Sequence, residues 1–192
     1  MSVKTNRWEW WQLKLRAMAL LVFERRAAAE AVFDEMLRCW PDDPYALASR
    51  VHLKAQAGRT GEAIADAQRL VQVHPQRSAG DWFNLAFLLE SVQRYDEAEP
   101  AFRRALALDD KLDRAWYGLG LVLIREHRFD EAVSALKRNT ELQPMSPYGW
   151  YQLARVHIDR HDPEEARNII RHLKGFEPKV AEQLQRETGL AP

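Results

Sequence analysis

Two histidines, His157 and His161, stand four residues apart. On a helix that spacing puts both side chains on one face, where they could supply two ligands to a metal ion. No third ligand is evident beside them, so no metal site is expected. Three acid pairs recur: Asp96-Glu97, Asp130-Glu131 and Glu164-Glu165. Paired carboxylates can do general acid–base work. These three repeat at a fixed interval and precede apolar stretches, which fits helix starts, where acids offset the backbone dipole. The one cysteine, Cys39, excludes an internal disulfide framework and a cysteine-rich zinc site. Its apolar neighbours predict a small buried side chain. No glycine-rich phosphate loop and no nucleophile elbow is present. The expectation is a chain that is not an enzyme and needs no cofactor.

The elements that carry these residues obey a period. Between Asp113 and Ser146, Trp116, Leu119 and Leu123 lie three and four apart and share one helical face. A polar break, His127-Arg128-Phe129-Asp130, interrupts the pattern. Ala132, Leu136 and, less well, Asn139 then resume it. Each period therefore reads as two antiparallel helices, with small residues where they cross. The same skeleton recurs 34 residues upstream as Trp82, Leu85, Ala86, Ala98 and Phe102. It recurs 34 residues downstream as Trp150, Leu153, Ala154, Ala166, Ile170 and Pro178. A fixed period of this size marks a stacked repeat array. The tryptophan is expected to be fully buried, removing ~150–250 Å² from water and contributing roughly 4–6 kcal/mol before entropy. One helix pair cannot cover it, so the adjacent pair must.

The pattern resembles the tetratricopeptide repeat, W-x2-L-G-x2-Y, then A-x3-F, then P. Trp116, Leu119, Gly120, Ala132 and Pro144 match it, with Leu123 for the Tyr and Leu136 for the Phe. Trp150, Leu153, Ala166 and Pro178 match in the next unit, with Ala154 for the Gly. The resemblance implies an all-α, right-handed α-solenoid of about five antiparallel helix pairs closed by a C-terminal capping helix. It also places His157 at the family's interior Tyr, a packing position, and leaves His161 solvated.

Composition narrows the partners. Of 192 residues, 28 are Lys or Arg and 28 are Asp or Glu, so the net charge is near zero. Nucleic-acid binding needs clustered cations and is not expected. Lys4 and Arg7 could open a signal peptide, but Glu9, Lys14 and Arg16 break up the apolar part after them. The longest apolar run, Ala17 to Phe23, is seven residues. That is too short to span a membrane and poor as a signal core. The reading is a cytoplasmic chain without a membrane partner.

In order, the chain is read as one domain over residues 1–192. Residues 1–9 are a short leader. Repeats cover 10–43, 44–78, 79–112, 113–146 and 147–180, and a capping helix covers 179–190. In the first repeat Leu13 replaces the family Trp and Arg16 the Leu. Trp8, Trp10 and Trp11 just ahead are expected to cap the open core end, or else to form a patch for self-association or a membrane surface. In the second, Asp43-Pro44 is a helix start and Gly58 a helix end, while Arg50 replaces the family Leu. Ala63 to Ala98 is 35 residues where the other intervals are 34, which puts one extra residue in the loop from Gln76 to Asp81. In the third, Asp110 replaces the closing Pro. Pro100, roughly a turn into its helix, is expected to bend the helix locally without breaking it. Acids outnumber bases seven to four over residues 79–112, which reads as a solvated convex face. Ser146-Pro147 and Asp162-Pro163 each pair a capping side chain with Pro, and Glu165 completes a capping-box interval. Val180, Leu184 and Glu187 are expected to face one way on the last helix.

A second stripe runs beside the core stripe on each first helix. It comprises Phe83, Phe87 and Glu90, then Tyr117, Leu121 and Ile124, then Tyr148, Tyr151, Arg155 and Ile158. In the resembling family such positions line a concave groove for a partner peptide. Phe83, Tyr117 and Tyr151 would then form an aromatic ladder, and flat aromatic side chains are enriched at binding hot spots. The bland reading is that they pack between first helices. The family's carboxylate clamp, a Lys with two Asn, is incomplete: Phe83 and Phe87 stand in place of the Lys and the first Asn, and Asn84 and Arg114 are fragments. The expected ligand is an apolar or amphipathic segment of another protein, bound by Phe83, Asn84, Phe87, Tyr117, Leu121, Tyr148, Tyr151 and Arg155. The expected function is an adaptor or scaffold, with a chaperone for an aggregation-prone or secreted client as the alternative.

Overall fold

The structure is a computed structural model that describes residues 7–190. Met1 to Asn6 of the expected leader lie outside the described residues, and Arg7 to Glu9 already form the first helical turn. Eleven helices and no strands are found among the described residues. They are α1 (Arg7–Val22), α2 (Arg26–Cys39), α3 (Pro44–Gln56), α4 (Thr60–Val73), α5 (Ala79–Ser91), α6 (Tyr95–Leu108), α7 (Asp113–Arg125), α8 (Phe129–Leu142), α9 (Pro147–Asp159), α10 (Pro163–Lys174) and α11 (Pro178–Thr188). Ten of them alternate as first and second helices, and α11 comes last, as the fold class requires. Two compact units divide the chain, up to Leu88 and from Leu89, so the boundary falls inside α5.

In the first unit α1 packs on α2, α2 on α3 and α3 on α4. Ala17, Ala29, Val32, Phe33 and Met36 are buried in one apolar cluster with Ala46 and Leu53. Trp10 and Tyr45 pack against that cluster, and Trp10 donates to the Asp43 carboxylate at 2.8 Å. The capping role expected of three tryptophans therefore falls to Trp10; Trp8 and Trp11 are exposed. Asp43 also caps α3, accepting from the Ala46 N–H at 2.8 Å.

In the second unit α6 packs on α7, α7 on α8, α8 on α9, α9 on α10 and α10 on α11. Small residues sit where these helices cross. A Cβ on Gly120 would meet Leu136 at 2.7 Å, and one on Gly118 would run into the Phe102 ring. A Cβ on Gly149 would strike Asn139 Oδ1. Asn139 itself is buried and donates to the Asp113 carbonyl at 2.9 Å, which explains a polar residue on the core face of α8. Helix α6 runs unbroken through Pro100. At the start of α10 Asp162 accepts from the Glu165 N–H, but Ser146 makes no side-chain cap on α9. There Pro147 starts the helix alone, since its ring presets φ and it has no N–H to satisfy.

The recurring tryptophans differ from expectation. Trp82, Trp116 and Trp150 are each half-buried. Their indole N–H groups donate to backbone carbonyls of the preceding loop: Trp82 to Pro75 at 2.9 Å, Trp116 to Asp110 at 2.8 Å and Trp150 to Pro144 at 2.8 Å. An indole has a polar edge that must find a partner, so it lies at the rim of the core with its N–H turned to the loop. The bond spans seven residues at Trp82 and six at the other two, which puts the extra residue of that loop between Pro75 and Trp82. Cys39 is also exposed, because it is the last residue of α2 and lies past the buried face.

Each turn inside a repeat uses one device. Glu24, Gly58, Gln93, His127 and His161 have φ between 55° and 73°. The N–H of the next residue bonds five residues back: Arg25 to Leu20, Arg59 to Lys54, Arg94 to Leu89, Arg128 to Leu123 and Asp162 to His157, at 2.8–3.0 Å. This is a left-handed helix cap that satisfies the last carbonyls. Of the five, Gly58 alone adopts it without a Cβ penalty.

Ion pairs also join helices, in one case at a position where the family pattern fails. Arg50, in place of Leu, donates through Nε to Asp66 of α4 at 2.9 Å and through Nη1 to Asp34 of α2 at 2.9 Å. Lys54 reaches the same Asp66 carboxylate at 2.9 Å. Burial alone would raise the Asp66 carboxyl, but hydrogen bonds from Arg50 and Lys54 outweigh it and hold the group below its ordinary value. Arg59 pairs with Glu30, and 29 residues likewise separate Arg128 from Glu99 at 2.6 Å.

Gln93→Gly should raise stability by ~0.5–1 kcal/mol, since relief of left-handed strain exceeds the added chain entropy; urea denaturation measures it, and a loss of stability would contradict the cap. Asp66→Asn should cost ~3–5 kcal/mol at pH 7, because Arg50 and Lys54 are left without their buried counter-charge. The Asp66 contribution is complete above its unfolded-state pKa and lost as pH falls through the lower folded-state value. The variant should therefore lose less stability than the parent as the solution is acidified through that range, in the same urea experiment.

Candidate partner-binding site

On α9 the residues Gly149, Leu153, Ala154, Val156 and His157 are buried. The helix must turn that face to α8 and α10, which it contacts. Tyr148, Tyr151 and Arg155 are thereby left on the other side, where α9 meets α7 and α11. Tyr148 is 70% exposed, while Tyr117 of α7 and Tyr151 are half-buried. The three tyrosines line one cavity of about 500 Å³. Pro147 and Gln152 of α9 join them, and Glu177, Val180 and Gln183 come from the start and first turns of α11.

The walls differ in character. Burial pushes the Tyr117 phenol up, against a hydrogen bond to Gln152 that acts the other way. Tyr117 thus stays a neutral donor at ordinary pH. Tyr151 donates to the Glu187 carboxylate at 2.6 Å, and Gln183 donates to it at 2.8 Å. The Tyr151 bond is the first cause of a lowered Glu187 carboxyl, with Gln183 next. Arg155 stands 3.9 Å from Glu187 and 5.9 Å from the Tyr151 ring centre, beside a neighbouring cavity of about 350 Å³. Among the described residues, no Lys or Arg lines the tyrosine cavity.

In the first unit Phe83 stacks on Phe87, ring centres 6.2 Å apart and planes at 23°. Phe87 is 56% exposed. Phe87 and Asn84 line a smaller cavity of about 200 Å³ with Val51 and His52 of α3. The sequence-expected residues thus gather in separate places: Asn84 and Phe87 at one cavity, Tyr117, Tyr148 and Tyr151 at another, and Arg155 beside it. Leu121 is half-buried and lines none of these cavities. Phe83 and Tyr151 are each found in contact with a neighbour of their own unit.

Sequence reasoning misses the share of α11. It puts Val180, Leu184 and Glu187 on one face. Ala181 and Leu184 form the buried face instead, Val180 lines the cavity and Glu187 turns to Tyr151. The spacing of the apolar positions shows a covering helix, but its polar edge carries no signal of what it would meet. His157 is buried, with Nδ1 3.2 Å from Asp162 Oδ2 and, among the described residues, no hydrogen-bond partner for Nε2. His161 is exposed in a turn. No group of three His, Cys, Asp or Glu that could hold a metal occurs among the described residues. No helix among them is long and apolar enough to cross a membrane. The acid pairs lie in the first turns of α6, α8 and α10. There Glu97 pairs with Arg94, Glu131 with Arg128 and Glu164 with Arg167.

Comparison with known proteins agrees with this architecture. A tetratricopeptide repeat model matches residues 49–113, and a model described as anaphase-promoting complex, cyclosome, subunit 3 matches residues 91–173. No curated protein matches the chain. Among solved structures, the crystal structure of the MamA protein superposes with a TM-score of 0.78 at 19% identity, covering 92% of this chain and 93% of that one. YrrB, described as a TPR protein with an unusual peptide-binding site, superposes with a TM-score of 0.80 at 19% identity, covering 88% of each chain. MamA from Desulfovibrio magneticus RS-1 gives 0.77 at 17% identity over 99% of each chain. At these identities the likeness is one of fold. With the periodic Trp-Leu-Gly/Ala skeleton, the paired helices and the two family models in agreement, residues 49–173 are tetratricopeptide-type repeats and the fold is that of the tetratricopeptide-repeat proteins, which mediate protein–protein interaction.

Proposed function

We propose that the chain is a non-catalytic adaptor that holds a segment of a partner protein in the cavity between α7, α9 and α11. The observation that carries this reading is the tyrosine lining. Tyr117, Tyr148 and Tyr151 face one space of about 500 Å³, large enough for several side chains of a bound segment. Tyrosines offer wide apolar contact at low entropic cost and keep a hydroxyl for orientation. Tyr148, at 70% exposed, has the most area still to bury.

The rim decides the kind of segment. Gln152 and Gln183 can hydrogen-bond a backbone, and among the described residues Glu177 is the one charged residue of the lining. A terminal carboxylate finds no cation in that lining, so the carboxylate clamp of the family is not the mode. An apolar or amphipathic segment fits, with its apolar side chains on the tyrosines and its backbone near the glutamines. In the first unit the cavity of Asn84 and Phe87 offers a further place for an apolar side chain. The peptide-binding site named for YrrB lends the same fold a precedent for binding a peptide.

Peptides selected from a displayed library on the whole chain test the reading. Tyr148→Ala and Tyr117→Ala should each weaken a selected peptide by ~1–2 kcal/mol, roughly 5- to 30-fold, by calorimetric titration. The exposed Tyr148→Ala variant should keep its melting temperature. Equal affinity of parent and both variants for every selected peptide would remove the cavity as the binding site.

A further inference from the structure

The core of the first unit claims only one side of α1. Leu13 and Ala17 are buried, and Trp10, Leu20 and Leu21 pack against the same cluster. On the other side Trp11, Leu15, Met18 and Val22 are 43%, 60%, 46% and 78% exposed. They recur at intervals of four, three and four, and Trp8, 69% exposed, extends the row by three. Phe23, 76% exposed, ends it. Intervals of three and four along one side of a helix make the seam of a helix–helix contact. The exposed area sums to roughly 700 Å², close to the ~800 Å² that each partner buries in a standard interface and above the usual largest patch of a monomer.

We infer that this row is a dimer interface in which α1 of one copy packs antiparallel on α1 of a second copy. Three observations select that occupant. The first is self-complementarity. An antiparallel pair centred on Leu15 sets Trp8 against Val22 of the other copy, Trp11 against Met18, and Leu15 against itself. A large residue then meets a smaller one in each layer outside the central leucine pair, and the thioether of Met18 meets an indole. A parallel pair would stack tryptophan on tryptophan at one end and valine on valine at the other, leaving a wedge. The second is area, which suffices for a stable symmetric contact. The third concerns charge. Residues 7–26 hold five cations and two acids, a bias that could suit an anionic lipid surface. The two cations beside the row are engaged within the chain, however. The Lys14 ammonium lies 4.4–5.1 Å from the ring centres of Trp10, Trp11 and Tyr45, and Arg16 is 3.6 Å from Glu35. The Lys14 ammonium is held over rings of its own chain and the Arg16 charge is offset by Glu35, which lowers the repulsion between two copies below what the raw count of cations implies.

Sedimentation equilibrium of the full chain at tens of micromolar should show a dimer that dissociates on dilution. Leu15→Glu puts two carboxylates together at the axis; it should give a monomer with unchanged helicity and melting temperature, since Leu15 lies outside the buried cluster. In a Cys39→Ser background, Leu15→Cys should form a disulfide-linked dimer on mild oxidation. Trp8→Cys mixed with Val22→Cys should cross-link to each other and not to themselves. A chain that stays monomeric throughout, a Leu15→Glu variant that still dimerises, or Val22→Cys linking to itself would each overturn the inference. A monomer that co-sediments with phosphatidylcholine–phosphatidylserine vesicles through this row would assign it to lipid and overturn it as well.

Discussion

A helix pair of this kind has an apolar side it cannot cover by itself. Only the next pair can, and only if the backbones come close. That closeness is the constraint on which the structure rests. It explains why Gly120 lies under Leu136 and Gly149 over Asn139, where even a methyl group would intrude. It also explains why Ala132 and Ala166 are wholly buried at the start of second helices. Dispersion contacts of this sort are individually weak and lapse with a small gap, so volume at the crossing matters more than hydrophobicity there.

The tryptophan serves this constraint in another way. It is half-buried, and its indole N–H ties α5, α7 and α9 each to the loop that leads into it. Charge adds to the joining of helices, and at Arg50 it replaces an apolar position. Arg50 stands at a position for Leu and binds carboxylates on the helices either side of it. Arg59 and Arg128, at equivalent turns, each reach back 29 residues to a glutamate of the preceding pair. These pairs are directional where apolar contact is not, and they fix the register of neighbouring helices.

The helix starts at Pro44, Pro147 and Pro163, the loop with the extra residue and the uninterrupted helix through Pro100 were legible in the sequence, because each comes from spacing or from proline stereochemistry; the start of α1 was not, since Arg7 to Glu9, read as leader, are helical. Residues whose role depends on a partner far along the chain were not. Nothing in Glu24, Gln93, His127 or His161 announces a left-handed backbone; the turn imposes it, and the sequence marks it only at Gly58. Cys39 has apolar neighbours but is exposed, since helical periodicity loses its phase at a helix end. Ser146 has a capping side chain and does not use it. Of the candidate site, Tyr117 and Tyr151 could be read from their common repeat position, and Tyr148 from its place on the same side of α9. The contribution of α11 could not, because the bond from Tyr151 to Glu187 joins residues that no period relates.

The site itself arises from the same packing. Once Leu153, Ala154 and His157 are committed to the core, Tyr148 and Tyr151 have only the side towards α7 and α11 left. Tyr151 is tied to Glu187 and Tyr117 is half-buried, so on the proposed reading a ligand meets a wall that is partly ordered before it arrives, which limits the entropy lost on binding. Hydrogen–deuterium exchange of the chain with and without a selected peptide tests this claim most directly. Slower exchange should be confined to α7, the first turns of α9 and α11, and the turn between α10 and α11. Protection on α8 and α10 instead, with the tyrosine helices unchanged, would contradict it.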